Sequence, residues 1–288
     1  MVPVKIIIKE NNDLPLIKLH NKLIINNNYY NMLSCNTNSI VTKYKKNYLE
    51  LIDFITLYNN QYLTSVVIDY LFNVCYPLTN GTFVSVSLST CCLNNDFTVE
   101  SPIVNLDLFK GQFTFLINVV NNNHYVLIYL NNYTKQIFYY DPLGKNELDP
   151  STARKVKFLI KTWCTLKNCT EEFYELAVAP KMARQKDGFN WGIFCTEVVR
   201  RIAIGMLCDD IDPEACRNTY RHDILMSSED MTNVCLYCGR EDESNDVNWV
   251  QCQKCERWIH QSCTSLSLST AAWNSLNFNC KLCEDYKG

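Results

Sequence analysis

The sequence predicts an α+β chain that ends in a small cysteine-rich module, and three observations support that prediction. Helical apolar spacing is strong in two separate stretches, residues 194–207 and 212–226. Upstream of them, three β-rich runs separated by short polar turns predict neighbouring strands: QFTFLINVV, HYVLIYL and QIFYYD. Finally, seven of the 16 cysteines fall after residue 234.

The other elements follow from local periodicity, in chain order. Residues 1–50 mix short apolar strings with Asn clusters and predict short strands and loops. Helical spacing covers 48–75, with a break at NNQ and a second helix from about Ser65. Alternation in FVSVSLST predicts a strand over 83–90. A further helix is expected over 151–166, with Ser151 as its N-cap.

Composition narrows the function class. The net charge of -3 gives no general basic footprint for nucleic acid. No apolar run approaches the ~18 residues that a membrane helix requires, and the N-terminus lacks the order of a signal peptide. We therefore expect an intracellular chain with no membrane or sequence-specific nucleic-acid partner.

A polar segment, SSEDMTN at 227–233, separates two regions with different cysteine usage. The nine cysteines before it form no framework and are expected to be mostly buried small side chains. We predict one domain over 1–226, a linker over 227–233 and a second domain over 234–288.

The second domain carries paired cysteines at metal-ligand spacing. A CxxC turn supplies two thiolates from one side, and zinc is held by four tetrahedral sulfur or nitrogen ligands. Eight such ligands predict two structural zinc ions. The ligands are Cys235, Cys238, Cys252, Cys255, His260, Cys263, Cys280 and Cys283.

This C4-H-C3 order, with Trp258 two residues before the histidine, resembles a PHD finger over about 235–283. RING and FYVE domains are the competing assignments, and Trp258 argues against both. The resemblance implies a cross-braced arrangement. One zinc is then held by Cys235, Cys238, His260 and Cys263, and the other by Cys252, Cys255, Cys280 and Cys283.

PHD fingers often bind a histone H3 tail, and methyl-lysine readers enclose the ammonium group in aromatic faces. By resemblance, Trp258 and Trp249 fall at cage positions, and Asp246 stands where readers often place another aromatic residue. The acidic loop EDESND at 241–246 is expected to favour a basic tail. The alternative is that Trp258 belongs to the core of the finger and that the finger is a plain protein–protein module.

A second constellation lies in the first domain. His124 begins HYVLIYL, and Asp141 follows the next strand in FYYDPLG, so two neighbouring strands are expected to bring these side chains together. The later stretch QKDGFNWGIFC contains Gln185 and Trp191. A cysteine protease requires a thiolate, a base, a group that orients the base and an oxyanion donor.

These segments together resemble the ubiquitin-like-protein-specific (SUMO/deSUMOylating) proteases and their adenovirus-protease relatives, over roughly 48–226. The family pattern is H-W, then D-S/P-x-G, then Q-x-N-G-x-D-C-G-x-F. The resemblance implies an α+β, papain-like fold. His124 then corresponds to the catalytic histidine, Asp141 to its orienting carboxylate and Gln185 to the oxyanion-hole residue.

Trp191 occupies the nucleophile position, where an indole offers only an N–H donor. Asn190 likewise replaces the aspartate that usually precedes the nucleophile. Cys195 lies one helical turn further on, and a shift of about 5–6 Å exceeds the tolerance for attack. The retained His124 and Asp141 are also compatible with a purely structural pair.

The sequence therefore favours a catalytically inactive protease-fold adaptor, joined to a PHD reader, in a nuclear or chromatin complex. Its expected partners are proteins, including a ubiquitin-like protein and a histone H3 tail. Derivation from a mobile element is inferred from the family resemblance alone. The alternatives are an active deSUMOylating cysteine peptidase that uses Cys195, and a structural subunit with no ubiquitin-like ligand.

Overall fold

The computed structural model falls into two compact units. One contains the described residues up to Ile52 together with those from Leu225 onward, and the other is Asp53–Ile224. The short strands and loops predicted over residues 1–39 lie outside the described part of the chain. The described residues are 40–58, 61–94, 105–120, 124–144, 148–168, 170, 173–241, 248–254, 256–264 and 277–280.

The regular elements are short, apart from three helices of 13 to 17 residues. The strands are β1 (Ile40–Tyr44), β2 (Asn47–Glu50), β3 (Gly81–Val84), β4 (Phe113–Val120), β5 (His124–Asn131), β6 (Gln136–Tyr140), β7 (Glu175–Ala177), β8 (Trp249–Gln251) and β9 (Trp258–His260). The helices are α1 (Leu51–Phe54), α2 (Ser65–Tyr70), α3 (Val86–Asn94), α4 (Pro150–Leu166), α5 (Trp191–Ala203) and α6 (Pro213–Met226). No helix within the described ranges is long and apolar enough to cross a membrane.

A five-stranded sheet in the order β3-β4-β5-β6-β7 forms the centre of the second unit. The middle strands β4, β5 and β6 pair antiparallel, which confirms the prediction of three neighbouring strands. The outer strands β3 and β7 pair in parallel with β4 and β6. Antiparallel pairing places the start of β5 and the end of β6 at the same end of the sheet.

Helix α4 packs its apolar face on this sheet. Val156, Ile160 and Trp163 are buried in one cluster with Ile128 and Ile137 of the strands. The helix begins one residue earlier than predicted, and Ser151 is not its cap. The Asp149 carboxylate accepts hydrogen bonds from the backbone N–H groups of residues 151 and 152. Proline at the first helical position lacks an N–H and is compatible with this cap.

The strand predicted over 83–90 is partly wrong. Strand β3 ends at Val84, and helix α3 follows at once. The carboxylate of Asp69 accepts a hydrogen bond from Val86 N at 2.8 Å, so a distant side chain satisfies the exposed start of the helix. The alternating V-S-V-S-L-S run is compatible with either a strand or a helix. The cap from Asp69 is a long-range contact, so the local pattern could not indicate it.

The first unit contains a β-hairpin, β1–β2, that contacts the cysteine-rich segment. The Ile40 N–H donates to the Leu236 carbonyl oxygen at 2.6 Å. Gly239, with φ of +67°, lies so close to Ile40 that an added Cβ would come within 2.8 Å of its side chain. The Lys43 ammonium forms a 2.5 Å ion pair with Glu241. In the structure this hairpin groups with the cysteine-rich unit, whereas the sequence placed it in the domain over 1–226.

Candidate functional site

The histidine–aspartate pair predicted from the sequence is formed. His124 is the first residue of β5 and Asp141 follows β6, and the His124 Nε2 lies 2.8 Å from Asp141 Oδ1. Asp141 is buried and also accepts the backbone N–H of Leu143 at 2.9 Å. This contact orients the imidazole ring, so its Nδ1 points away from Asp141.

Trp191 fills the space beside this imidazole. As the first residue of α5, it meets the His124 ring edge-on, with ring centroids 5.0 Å apart and planes at 90°. On its other side Trp191 stacks on Tyr62 at 5.3 Å and 22°. The His124 Nδ1 and the Trp191 Nε1 are buried, and neither has a hydrogen-bond partner among the described residues. We call His124, Asp141, Gln185 and Trp191 the remnant site.

Gln185 is tied to the loop after Asp141, and one of the two N–H donors of its side-chain amide is engaged. Its backbone N–H donates to the Pro142 carbonyl at 3.0 Å, which ties it to the loop after Asp141. Its side-chain Nε2 donates to the Asp187 carbonyl oxygen at 2.6 Å. The amide nitrogen carries two N–H donors, so this bond leaves the second N–H for an oxyanion.

A buried arginine that the sequence analysis missed supports the start of α5. Arg217, on α6, is 1% exposed and donates twice to Asn190 Oδ1, at 3.1 and 2.7 Å. It also donates to the carbonyl oxygens of Thr56 and Gln61, next to Tyr62. Arg217 therefore links the segment that precedes Trp191 to the segment that carries its stacking partner. Arg217 and Gln61 are 156 positions apart in the sequence, so no local motif indicates their contact.

Asp187 provides the negative charge near this arginine. Its carboxylate accepts the backbone N–H groups of Phe189 and Asn190 and the Asn190 side-chain amide, at 2.9 to 3.0 Å. Burial opposes ionisation, but these hydrogen bonds and the Arg217 charge outweigh it and lower the pKa of Asp187. The negative charge of this segment thus lies at Asp187, three residues before Asn190, the position where the protease family usually has its aspartate.

Cys195 is enclosed in the core. Its side chain is 0% exposed, and its Sγ lies 3.5 Å from the Tyr125 carbonyl oxygen beneath β5. Burial, and secondarily the charge of Asp141, raises the pKa of the Cys195 thiol well above its usual value. A thiol that resists ionisation is a poor nucleophile, because the thiolate is the attacking species.

In the cysteine-rich unit, one predicted ligand set is gathered. The ligand atoms of Cys235, Cys238, His260 and Cys263 all lie within 4.8 Å of one another. The His260 Nδ1 is 3.3 Å from Cys238 Sγ and 3.8 Å from Cys263 Sγ. Three sulfurs and one imidazole nitrogen at this spacing fit a tetrahedral structural zinc site, so the donor set agrees with the metal.

Half of the second predicted set lies within the described residues. Cys252 and Cys280 are both 0% exposed, and the Cys280 N–H donates to Cys252 Sγ at 3.2 Å. Such N–H···S contacts are compatible with thiolate ligands. Cys255 and Cys283 lie outside the described residues.

The two tryptophans of the proposed cage share one face of the β8–β9 pair. Trp249 lies opposite His260 and Trp258 opposite Gln251, so the two indoles are diagonal neighbours. The intervening Val250 and Ile259 point to the other face and are buried. Trp249 also packs on the imidazole of His260 at 4.0 Å between ring centroids. Asp246 lies outside the described residues.

Comparison with known proteins assigns the cysteine-rich segment to a class. A family model for the PHD finger matches residues 235–283. A protein from Plasmodium falciparum (isolate 3D7), named as a histone-lysine N-methyltransferase 1, is 30% identical over 74 residues. The match covers 24% of this chain and 1% of that protein. The chain therefore ends in a PHD finger.

Solved structures identify the fold of the larger unit. The SUMO protease Ulp1 with an oxidised (sulfonic acid) catalytic cysteine aligns with a TM-score of 0.58 at 16% identity, over 69% of this chain and 93% of that one. The Ulp1 protease domain in complex with SMT3, the yeast orthologue of SUMO, gives 0.57 at 17% identity over 70% and 93%. The Chaetomium thermophilum Ulp1-like SUMO protease domain gives 0.50 at 12% over 70% and 88%.

These findings confirm the predicted fold class. The chain combines an α+β unit with the fold of the Ulp1 protease domain and a C-terminal PHD finger. At this level of identity the structural likeness defines the fold, and the chemistry depends on the side chains described above.

Proposed function

We propose that this chain is a catalytically inactive protein with a SUMO-protease fold, which binds protein partners and carries a PHD reader in a nuclear chromatin complex. The observation that carries the proposal is Trp191, which stands at the first position of α5 in direct ring contact with His124. An indole has no lone pair for attack on a carbonyl carbon and no proton that imidazole can remove at neutral pH.

The contacts of Trp191 also argue that the cleft is closed. Its ring lies between Tyr62 and His124, and its indole N–H is buried. A scissile peptide would have to displace this stack before it reached the imidazole. Aromatic pairs of this geometry contribute about 0.5–1.5 kcal/mol beyond their burial, which favours the closed arrangement.

The competing function, a cysteine peptidase that uses Cys195, finds less support. The thiol is 0% exposed, and burial raises its pKa. Its closest described polar contact is the Tyr125 carbonyl oxygen, on the β5 side of the helix. Activity through Cys195 would require both a movement of α5 and ionisation of a buried thiol.

The proposed partner of the protease-like unit is a ubiquitin-like protein. The similar Ulp1 domain is described in complex with SMT3, and this chain covers 93% of it at the level of fold. We propose that the scaffold keeps a docking surface for such a protein while the cleft no longer cleaves it. Which ubiquitin-like protein binds is left to experiment.

The proposed ligand of the PHD finger is a histone H3 tail. Trp249 and Trp258 lie on one face of β8–β9, where two indoles fit a methylammonium group better than a single ring does. The two structural zinc ions, the nuclear location and a mobile-element origin are parts of the same proposal. The methyltransferase relative supports a chromatin setting, through a match that covers 24% of this chain.

Binding of purified, unreactive SUMO, ubiquitin and NEDD8 to the full chain, measured by isothermal titration calorimetry, tests the adaptor role. We expect saturable binding of one of the three and no cleavage of its precursor form. Histone H3 tail peptides, unmodified and methylated, are titrated in parallel against wild type and Trp258→Ala. Failure of all three ubiquitin-like proteins to bind would leave the structural-subunit alternative, and equal peptide binding by both chains would remove Trp258 from the reader site.

A further inference from the structure

At the opposite side of the sheet from β3, strand β7 forms the edge. Within the described sheet, β7 has a neighbour on one side only. The Glu175 N–H points to β6, where it donates to the Lys135 carbonyl at 2.9 Å. The alternation of a strand then turns the N–H and C=O of Leu176 outward, towards the open edge.

Large apolar side chains are exposed along this edge. Phe173, Leu176 and Val178 are 74%, 49% and 85% exposed. Leu176 pairs with Ile137, whose side chain is buried under α4, so Leu176 shares the face of the sheet that α4 covers. Val178 follows Ala177, the last residue of β7. Natural edge strands are usually blunted by lysine, proline or a bulge, and residues 173–178 contain neither lysine nor proline.

Helix α4 adds positive charge beside this edge. Residues 150–166 contain four Lys or Arg and no Asp or Glu, in a chain whose net charge is -3. Arg154, Lys155, Lys157 and Lys161 are all exposed and surround Phe158, which is 59% exposed. The Lys157 Nζ lies 5.8 Å from the centre of the Phe173 ring, so the cations and the apolar edge are contiguous. Glu175 points to the other face of the sheet, because it neighbours Leu176 in the strand.

We propose that this edge surface, made of Phe158, Phe173, Leu176, Val178 and the basic face of α4, binds an extended acidic segment of a partner protein. The segment adds a strand to β7. Its alternate apolar side chains cover Leu176 and Val178, and its carboxylates face the α4 cations. This surface is separate from the remnant site, so the proposal holds whether or not the chain cleaves anything.

Two other occupants fit less well. A second copy paired through β7 by two-fold symmetry would place two basic α4 helices on the same face of a joined sheet, where like charges repel. A nucleic acid would satisfy the cations but would leave the outward backbone groups of Leu176 without a matching strand. An acidic peptide strand satisfies the charges, the apolar side chains and the backbone together.

Fluorescence anisotropy of a labelled heptapeptide that alternates Val with Glu, titrated with the full chain, tests the proposal. We expect binding that weakens as salt rises, and a loss of about tenfold or more in Val178→Asp, the size of loss typical of an interface anchor. Arg154→Glu/Lys157→Glu should weaken it similarly. The matched controls are Val66→Asp, an exposed valine on α2, and Lys46→Glu/Lys110→Glu, which changes net charge equally; both should stay within about twofold of wild type.

Three results would overturn the proposal. The first is no binding of the acidic peptide, or equal binding of a peptide in which Lys replaces Glu. The second is tighter binding of a labelled polythymidine oligonucleotide, lost in the charge-reversal pair, which would assign a nucleic acid. The third is self-association of wild type in sedimentation velocity that Val178→Asp abolishes, which would assign a second copy.

Discussion

The zinc-ligand cluster of the finger and the remnant site of the protease-like unit differ in how many of the side chains expected from their family patterns they contain. In the finger, Cys235, Cys238, His260 and Cys263 are all present and their ligand atoms lie within 4.8 Å of one another. In the remnant site the histidine and aspartate form a 2.8 Å contact, and Trp191 stands where the resemblance to the proteases places the nucleophile.

This difference reflects what each site contributes to folding. A finger of about 50 residues buries too little surface to fold without its metal, so every ligand contributes to stability. The larger unit folds around its sheet and helices, and it needs no thiol at the start of α5. A nucleophile can be lost there without loss of the fold, whereas a zinc ligand cannot.

Removal of zinc should have the largest effect and should be confined to the finger. We expect chelation, or Cys238→Ala, to abolish amide protection in β8 and β9, because structural zinc contributes about 10–16 kcal/mol in finger peptides. Hydrogen exchange of the full chain measures this, and the Asp53–Ile224 unit should keep its protection. Cys91→Ala, a cysteine outside the ligand set, is the control; protection retained in Cys238→Ala would contradict the assignment.

Replacement of Trp191 by cysteine should create a peptidase. The thiol would stand at the N-terminus of α5 beside the free Nδ1 of His124, which is positioned to take its proton. We expect hydrolysis of a fluorogenic SUMO substrate to rise at least about a hundredfold above Trp191→Ser, the contribution typical of a positioned base. Trp191→Ser opens the cleft in the same way without a thiol. Equal rates for the two variants would show that the remaining residues no longer form a catalytic arrangement.

Loss of Arg217 should destabilise the protease-like unit substantially. Arg217→Met leaves the buried Asn190 side chain and the partly buried carbonyls of Thr56 and Gln61 without their donor. We expect a loss of about 2–4 kcal/mol in the free energy of unfolding, because each unsatisfied buried acceptor costs about 1–3 kcal/mol. Urea denaturation measures it. Arg154→Met, on the exposed face of α4, should change stability by less than about 0.5 kcal/mol.

The hairpin contact of the finger predicts a smaller effect. Gly239→Ala adds a methyl group 2.8 Å from Ile40 at a φ of +67°, so strain and a clash act together. Gly205→Ala has a similar φ of +73° but meets nothing within 4 Å. We expect Gly205→Ala to cost about 1 kcal/mol and Gly239→Ala about 1 kcal/mol more, by thermal denaturation of each unit. Equal stability costs for the two variants would mean that the Ile40 side chain moves aside without an energetic penalty.

Local patterns in the sequence predicted the parts of both sites that depend on short spacing. The CxxC spacing predicted which residues are metal ligands, and the resemblance to the PHD finger assigned Cys235, Cys238, His260 and Cys263 to one ion. The strand-and-turn pattern placed His124 next to Asp141. It also predicted β4, β5 and β6 as neighbours, which the sheet confirms.

The features that the sequence did not predict are long-range. Tyr62 meets Trp191 from 129 positions away, and Arg217 meets Gln61 from 156 positions away. The helix over Val86–Asn94 is capped by the distant carboxylate of Asp69 as well as by Ser85, and the alternation of its own residues indicated a strand instead. The hairpin that contacts Leu236 and Gly239 is far from the finger in sequence, with 198 positions between Lys43 and Glu241, so no pattern within the finger shows it.

We propose that the protease-like unit is inactive because Trp191 replaces the nucleophile. Intact-mass analysis after incubation with SUMO, ubiquitin and NEDD8 electrophilic probes tests it most directly, with wild type run beside Cys195→Ala. We expect no adduct on either chain while both remain folded. An adduct on wild type that disappears in Cys195→Ala would contradict it and would make the buried thiol a displaced nucleophile.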